Sequence, residues 1–226
     1  MQLTKTITKN SIRSLLLHIL VLMVGLTIAH FGVTLFIQTN LGSDPYNVFV
    51  QGIYRSLQDL FPLSFLTHGY THIFISFIVI LILLVVNRSY IKIGTVLCML
   101  FGGPIIDMFT FILKDYINET LPYIVRLIVL SVGCIILAFG MTIVIKSEAG
   151  TGPNDLVALV ISDKIHKKFS LIRIIVDFTF VAVGGMFGGI FGIGTVICAF
   201  LVGPVAGIFL PINERLINKI YSRNQQ

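Results

Sequence analysis

Apolar residues fill six stretches of the chain, roughly 14–37, 69–86, 93–113, 122–145, 170–188 and 193–213, and polar residues gather in the segments between them. At about 1.5 Å of rise per residue, each stretch predicts a helix able to cross a hydrocarbon core of about 30 Å, with tilt or a snorkelling end where it is short. Two shorter segments, 45–57 and 153–166, interrupt the series after the first and fourth stretches. As helices they would be about 20 Å long, too short to span. In the first, Tyr46, Phe49, Val50, Ile53 and Leu57 recur at helical spacing, with Asn47, Gln51 and Arg55 elsewhere. That pattern predicts a helix lying on, or dipping into, one membrane face. The second ends in Asp163, Lys164, Lys167 and Lys168, which holds it to the surface.

The interruptions repeat, and so does everything around them. "LGSDPYNVFV" from Leu41 and "AGTGPNDLVAL" from Ala149 share a small-residue turn, a proline, a polar pair and an apolar run. At an offset of 108, Val24-Gly25 matches Val132-Gly133, Phe31-Gly32 matches Phe139-Gly140, and Thr34, Ile37, Gly42 and Pro45 match Thr142, Ile145, Gly150 and Pro153. At an offset of 100, "IGTVLCMLFGGP" (Ile93–Pro104) faces "IGTVICAFLVGP" (Ile193–Pro204) with seven identities in twelve positions. The change of offset places eight extra residues in the first half, in the loop "SLQDLFPLSFLTHGY". Chance matches between apolar segments fall on Leu, Ile and Val; alignment of Gly, Thr, Cys and Pro in register indicates internal duplication.

The chain of 226 residues is 56% hydrophobic and 12% charged, whereas a soluble domain is nearer a quarter charged. The connections are too short for a soluble domain, so 1–226 reads as one membrane domain, with repeat 1 over about 14–113 and repeat 2 over about 122–213. The first run is longer than a signal-peptide core and ends in "IQTNLG", with no small-x-small cleavage site, so it is expected to be retained. The net charge of +6 would suit an anionic partner, but its distribution points elsewhere. With six spans and a cytoplasmic N-terminus, thirteen basic residues fall inside, Lys168 and Arg173 among them, and three outside: Arg55, Lys114 and Arg126. The positive-inside rule accounts for that split, both termini are expected in the cytoplasm, and nucleic acid is not an expected partner. Cys98, Cys134 and Cys198 lie within apolar runs without CxxC or Cys/His spacing, so no metal and no cofactor is expected.

Three spans per half is an odd number, so duplicated halves must sit in opposite orientations. The expected architecture is an all-α polytopic membrane protein of six transmembrane helices in two inverted three-helix repeats, each with a short re-entrant or interfacial helix after a Gly-Pro turn. Inverted repeats of this kind typify secondary transporters.

The paired "LGxxP" and "GxGPxD" turns, each after a Gly-rich span, resemble the YczE/YyaS/YitT group of bacterial integral membrane proteins. The resemblance covers nearly the whole chain, with Tyr46 standing where that group leads one to expect a Trp. It implies a bacterial inner-membrane location and supplies no catalytic or binding residues.

Candidate chemistry begins at the turns. Asp44-Pro45 and Gly152-Pro153 read as helix starts, with proline at the first helical position and Asp44 as a cap. Gly42, Asp44, Pro45, Asn47, Gly150, Gly152, Asn154 and Asp155 are the candidate substrate-binding residues, because helix N-termini inside a membrane protein attract anionic groups. Asn47 and Asp155 hold equivalent repeat positions. Alternatively, the glycines and prolines only bend and pack the chain. Ionisable groups inside spans are costly and are functional candidates by default. Asp107 follows the "GGP" of the third span, and Asp177 stands four residues after Arg173, either as a coupling carboxylate or as half of an ion pair. His30 sits mid-span as a proton relay or as a hydrogen-bonded packing residue. Asp107, Asp177 and His30 form the candidate proton-coupling set. Gly184, Gly188 and Gly192 recur every four residues, spacing that lets helices approach closely, and Gly102-Gly103-Pro104 and Gly203-Pro204 are matched kink sites.

Two readings remain: a small secondary transporter or exporter working by alternating access, possible proton coupling included, and an accessory or assembly protein that binds a protein or lipid and moves nothing. No HExxH, GxSxG or Cys/His set suggests an enzyme. The expected partners are the bilayer and an unidentified small molecule, with homo-oligomerisation left open.

Overall fold

The computed structural model describes residues 2–61, 65–167 and 169–223; Lys168, one of the inner charges, lies outside them. Its helices are α1 (Gln2–Thr39), α2 (Pro45–Leu60), α3 (His68–Asn87), α4 (Ile93–Leu113), α5 (Tyr123–Lys146), α6 (Pro153–Ile165), α7 (Phe169–Met186) and α8 (Ile193–Arg223), with a 3₁₀ turn over Arg88–Tyr90. Among the described residues there is no strand. Five segments, Ile12–Thr39, His68–Tyr90, Ile93–Leu113, Tyr123–Lys146 and Ile193–Ser222, are long and apolar enough to cross a membrane. α7 takes the place of the remaining predicted run and carries Arg173 and Asp177 in its first half. Large apolar side chains such as Val85, Phe178 and Phe200 face outward, as suits a surface solvated by lipid tails.

The interior is organised by a crossing of α1 and α5, and glycine sets its closeness. A Cβ at Gly32 would stand 2.7 Å from the Gly133 carbonyl oxygen, and one at Gly140 would stand 2.7 Å from the Gly25 oxygen. The pairs Gly25–Gly140 and Gly32–Gly133 define antiparallel helices whose backbones touch. Around this crossing α1 packs on α4, α5 on α8, α2 on α7 and α3, and α6 on α7 and α3.

Many of these contacts come in pairs that the offsets of 108 and 100 interconvert. The Gly194 N–H donates to the Leu41 carbonyl at 2.9 Å, and the Gly94 N–H donates to the Ala149 carbonyl at 3.0 Å. Arg126 Nε donates to the Thr39 carbonyl at 2.7 Å, while His18 Nδ1 lies 2.7 Å from the Ser147 carbonyl. These oxygens end α1 and α5, and carbonyls at helix ends need donors from elsewhere. Asn40 and Glu148 both take left-handed φ, 50° and 58°, and Gly42 and Gly150 follow with φ of 114° and 148°. Each turn therefore docks against the first residues of the last long helix of the other half.

One expectation fails locally. Gly184, Gly188 and Gly192 do not form a helix face, because α7 stops at Met186. Gly188 turns the backbone with φ 83°, and the Gly189 N–H returns to the Gly184 carbonyl at 2.8 Å, a glycine-terminated helix end. Pro104 and Pro204 lie inside continuous helices.

Candidate functional site

The two short helices begin as their sequences predict. Pro45 and Pro153 open α2 and α6, the Asp44 carboxylate accepts from the Asn47 N–H at 3.3 Å, and Gly152 precedes Pro153 without a capping side chain. In the bundle, α2 packs among the other helices along its first half. Tyr46, Asn47, Val48, Val50, Gln51 and Gly52 are all buried and Pro45 and Phe49 half-buried, so most of its first half is enclosed. α2 runs beside α7, with Phe49 stacked on Phe180 at 5.6 Å and Gly52 backed against Gly184. Against α3 it runs the other way: Tyr54 meets His68 at 6.3 Å between ring centroids, and the Tyr46 hydroxyl reaches Ser76 Oγ at 2.8 Å. Ser76 is eight residues past the start of α3 at His68, so the N-terminus of α2 lies about 12 Å inside that end. α6 points its own N-terminus inward from the other side. Leu156 and Val160 pack on Leu83, and its last turn is tied to the Tyr90 hydroxyl, which donates to Asp163 at 2.6 Å.

The two inward-facing helix starts bring charge together. Arg173 Nη1 binds Asp155 Oδ1, and Arg173 Nε donates to Asp177 Oδ2 at 2.9 Å. Thr151 Oγ1 and Asn154 Nδ2 donate to Asp155 at 3.3 and 3.1 Å, which fixes its carboxylate over the first turn of α6. All three charged side chains are partly exposed, between 22% and 29%, so the triad faces space rather than a sealed core. The charge of Arg173 also reaches Asp44. Burial nevertheless pushes the Asp44 carboxyl above its ordinary range, opposed by the Asn47 hydrogen bonds and then by Arg173. Three carboxylates and one guanidinium thus meet where the turns of the two halves approach.

A polar track leaves this cluster along α3. Asn47 Nδ2 donates to Asp44 Oδ2 at 2.8 Å, and His68 Nε2 donates to Asn47 Oδ1 at 3.1 Å. On either side of His68, the Thr67 hydroxyl and the Gly69 N–H donate to Asp107, the latter at 2.9 Å. Asp107 therefore binds the free amide end of α3, as an anion at a helix N-terminus does. It also lines a lateral groove of about 270 Å³ with Gly69, Tyr70, Ile73, Pro104 and Met108.

The structure gathers Asn154, Asp155 and Asp177 around Arg173, sets Asp44 within reach of its charge, and connects Asn47, His68 and Asp107 to Asp44 along α3. Gly42 and Gly150 carry the turns rather than facing the cluster: a Cβ on either would strike the backbone of the facing helix start. His30 stands apart, its Nδ1 2.9 Å from the Leu26 carbonyl and its ring 5.8 Å from His72. Sequence reasoning missed Arg173, His68 and His72 as site residues. The default rule for ionisable groups within apolar helices applied to all three. Arg173 had been assigned to the cytoplasmic boundary, and the i, i+4 pair His68/His72 in "HGYTHIF" was passed over.

Comparison with known proteins finds relatives over most of the chain. Over 200 residues the chain is 28% identical to "Uncharacterized membrane protein YczE" of Bacillus subtilis (strain 168), covering 88% of each chain. It is 27% identical to "Uncharacterized protein YyaS" of the same organism over 85% of this chain and 92% of that one. An "Uncharacterized protein" of Haemophilus influenzae (strain ATCC 51907 / DSM 11121 / KW20 / Rd) is 27% identical over 90% of this chain and 88% of its own. No solved structure matches. A family model described as "Family of unknown function (DUF6198)" matches residues 16–211, nearly the full helical bundle. The chain belongs to that family, and with its apolar helices it is a YczE-like membrane protein.

Proposed function

We propose that this protein is a small secondary transporter of the bacterial inner membrane, built from two inverted halves with three spans and one re-entrant helix each. It carries out no catalytic step; it binds a small molecule between the halves and exposes it to either side in turn. The observation that carries this reading is the mirrored bonding, Gly194 to Leu41 with Gly94 to Ala149 and Arg126 to Thr39 with His18 to Ser147. Contacts that exchange under the repeat offsets are what a pseudo-two-fold axis between inverted halves would produce. Such a scaffold has two related states of nearly equal energy, which alternating access requires. The central site comprises Asp44, Asn47, Asn154, Asp155 and Arg173. Asp107, Asp177 and His30 are the coupling groups, since a carboxylate or imidazole in a desolvated site can exchange a proton when the conformation changes.

The experiment needs no substrate. Cys98, Cys134 and Cys198 are replaced by Ala, and Asn154→Cys is treated with a membrane-impermeant maleimide in right-side-out and in inside-out vesicles. Labelling from both faces is expected. Asp59→Cys should react only from outside and Ile165→Cys only from the cytoplasm, with both termini cytoplasmic.

One observation favours a second reading. The groove beside Asp107 lies between α3 and α4 and not between the halves, a place suited to a lipid or a partner helix. An accessory protein of that kind would label Asn154→Cys from one face only.

A further inference from the structure

One helical turn along α3 from the central cluster's polar track lies a second group of titratable side chains. His72, one turn below His68 on α3, is 5% exposed, and its Nδ1 is buried with no hydrogen-bond partner. Its ring meets His30 of α1 at 5.8 Å and Tyr46 of α2 at 5.3 Å, both edge to face. His30 Nδ1 donates to the Leu26 carbonyl, which leaves Nε2 as the basic nitrogen. That nitrogen points at Gly102 of α4: a Cβ there would stand 2.9 Å from His30 Nε2 and 3.0 Å from His72 Cε1. Two imidazole edges thus converge on Gly102, a position of α4 without a side chain, one edge with a free lone pair and the other with an unpaired nitrogen. Buried polar atoms are nearly always paired, and an exception calls for a role.

We propose that His30 and His72 form a binding site for a single proton, the proton that couples transport. The proton adds to His30 Nε2, which becomes N–H while Nδ1–H keeps its bond to Leu26, and the imidazolium then gives His72 Nδ1 its missing partner directly or through one water. On release the N–H bond at Nε2 breaks and both rings are neutral again. The titratable groups that face the pair are Tyr46 from α2 and His68 from α3, while α4 presents Gly102. His68 already donates to Asn47, so the pair is one side chain removed from the central cluster. Protonation places a positive charge behind Tyr46 in the first turn of α2, where it opposes the helix dipole and favours movement of α2 away from α3. This inference rests on the alternating-access reading, with the proton as the coupling ion.

The test uses the full chain in nanodiscs with ¹⁵N-labelled histidine. From pH 4 to 9 the ring nitrogens of His30 and His72 should shift together with the change expected for one proton, and His30→Gln or His72→Gln should remove the shift of the remaining partner. Gly102→Ala, which keeps both rings but separates them, should uncouple the two titrations. Independent pH-insensitive shifts for both rings overturn the proposal, as does a His72 signal unaltered by His30→Gln. In vesicles, the ratio of outside to inside labelling of Asn154→Cys should change several-fold between pH 5.5 and 8, and His72→Gln should abolish the change while two-sided labelling remains. Two-sided labelling without pH dependence would sink the proton site alone; one-sided labelling at every pH would sink the transport reading itself.

Discussion

The two Gly-Pro turns share a backbone and differ in chemistry. Both place a residue with left-handed φ, then a glycine with φ above 100°, then a proline that opens a helix aimed into the bundle. In the first turn the acid is the capping residue, Asp44, and the third helical residue is Asn47, held by His68. In the second the cap is Gly152, and the third residue is an acid, Asp155, held by Arg173. The scaffold is duplicated, while the basic group that grips each helix is not. The His68 imidazole holds Asn47 by one hydrogen bond, whereas the Arg173 guanidinium binds two carboxylates at once, so the two grips differ in kind.

Substitution at the shared glycines should give the largest effects and tests how far the two turns are alike. Gly150→Ala puts a Cβ 2.7 Å from the Thr95 backbone nitrogen, and Gly42→Ala puts one 2.7 Å from Thr195 Oγ1 and 2.9 Å from the Gly192 nitrogen. Each should lose about 3 kcal/mol or more through backbone strain and overpacking. Gly150→Ala should be the worse, because its nearest neighbours are backbone and cannot rotate away. Thermal unfolding in detergent measures both; tolerance of either would separate the turns structurally.

Arg173→Ala comes next, since it leaves Asp155 and Asp177 without their cation. Complete burial would make that loss about 3–5 kcal/mol; partial exposure here reduces the expectation to about 2 kcal/mol. Asp155→Asn with Arg173→Ala should recover part of the stability, as fewer unpaired charges remain. If Arg173→Ala melts with the wild type, the triad is not what holds α6 to α7.

A smaller effect sharpens the contrast in pH dependence. Because the folded-state pKa of Asp44 is raised, the folded protein holds more protons than the unfolded one above the ordinary value of 3.8. Stability should therefore fall as pH rises from that value through the raised one, and be recovered on acidification. Asp44→Asn keeps the cap and cannot ionise, so a pH series of melting temperatures should lose this slope and match or exceed the wild type at pH 7. The smallest change is expected for His68→Gln, which can still donate to Asn47: about 0.5–1 kcal/mol, against a larger loss for His68→Phe.

Much of this arrangement was legible along the chain. The helices, the two Gly-Pro starts and the Asp44 cap follow from local rules, since apolar length, proline geometry and capping act within a few residues. The stripe Gly184/Gly188/Gly192 misled for the same reason: spacing alone does not tell where a helix stops, and Gly188 ends α7 before the pattern completes. The burial of α2 was less readable. Its pattern left open a helix lying on a membrane face or dipping into it; Asn47 and Gln51 are buried because His68 and the Ile190 N–H satisfy them across long sequence separations. Arg173 read as a boundary charge because its partner on α6 stands eighteen positions away, beyond any helical periodicity.

The sequence by itself determined the helical membrane character, the duplication and the two turn geometries, because hydrophobic length and backbone preference are local properties that a repeat copies with the residues. Only the tertiary structure decided that each turn docks on the start of the other half's last long helix, that Arg173 joins Asp155 to Asp177, and that His72 meets His30 over Gly102. Those contacts join helices far apart in the chain. They depend on how closely backbones approach at glycine crossings, and no pattern within a single helix records the distance to its neighbour.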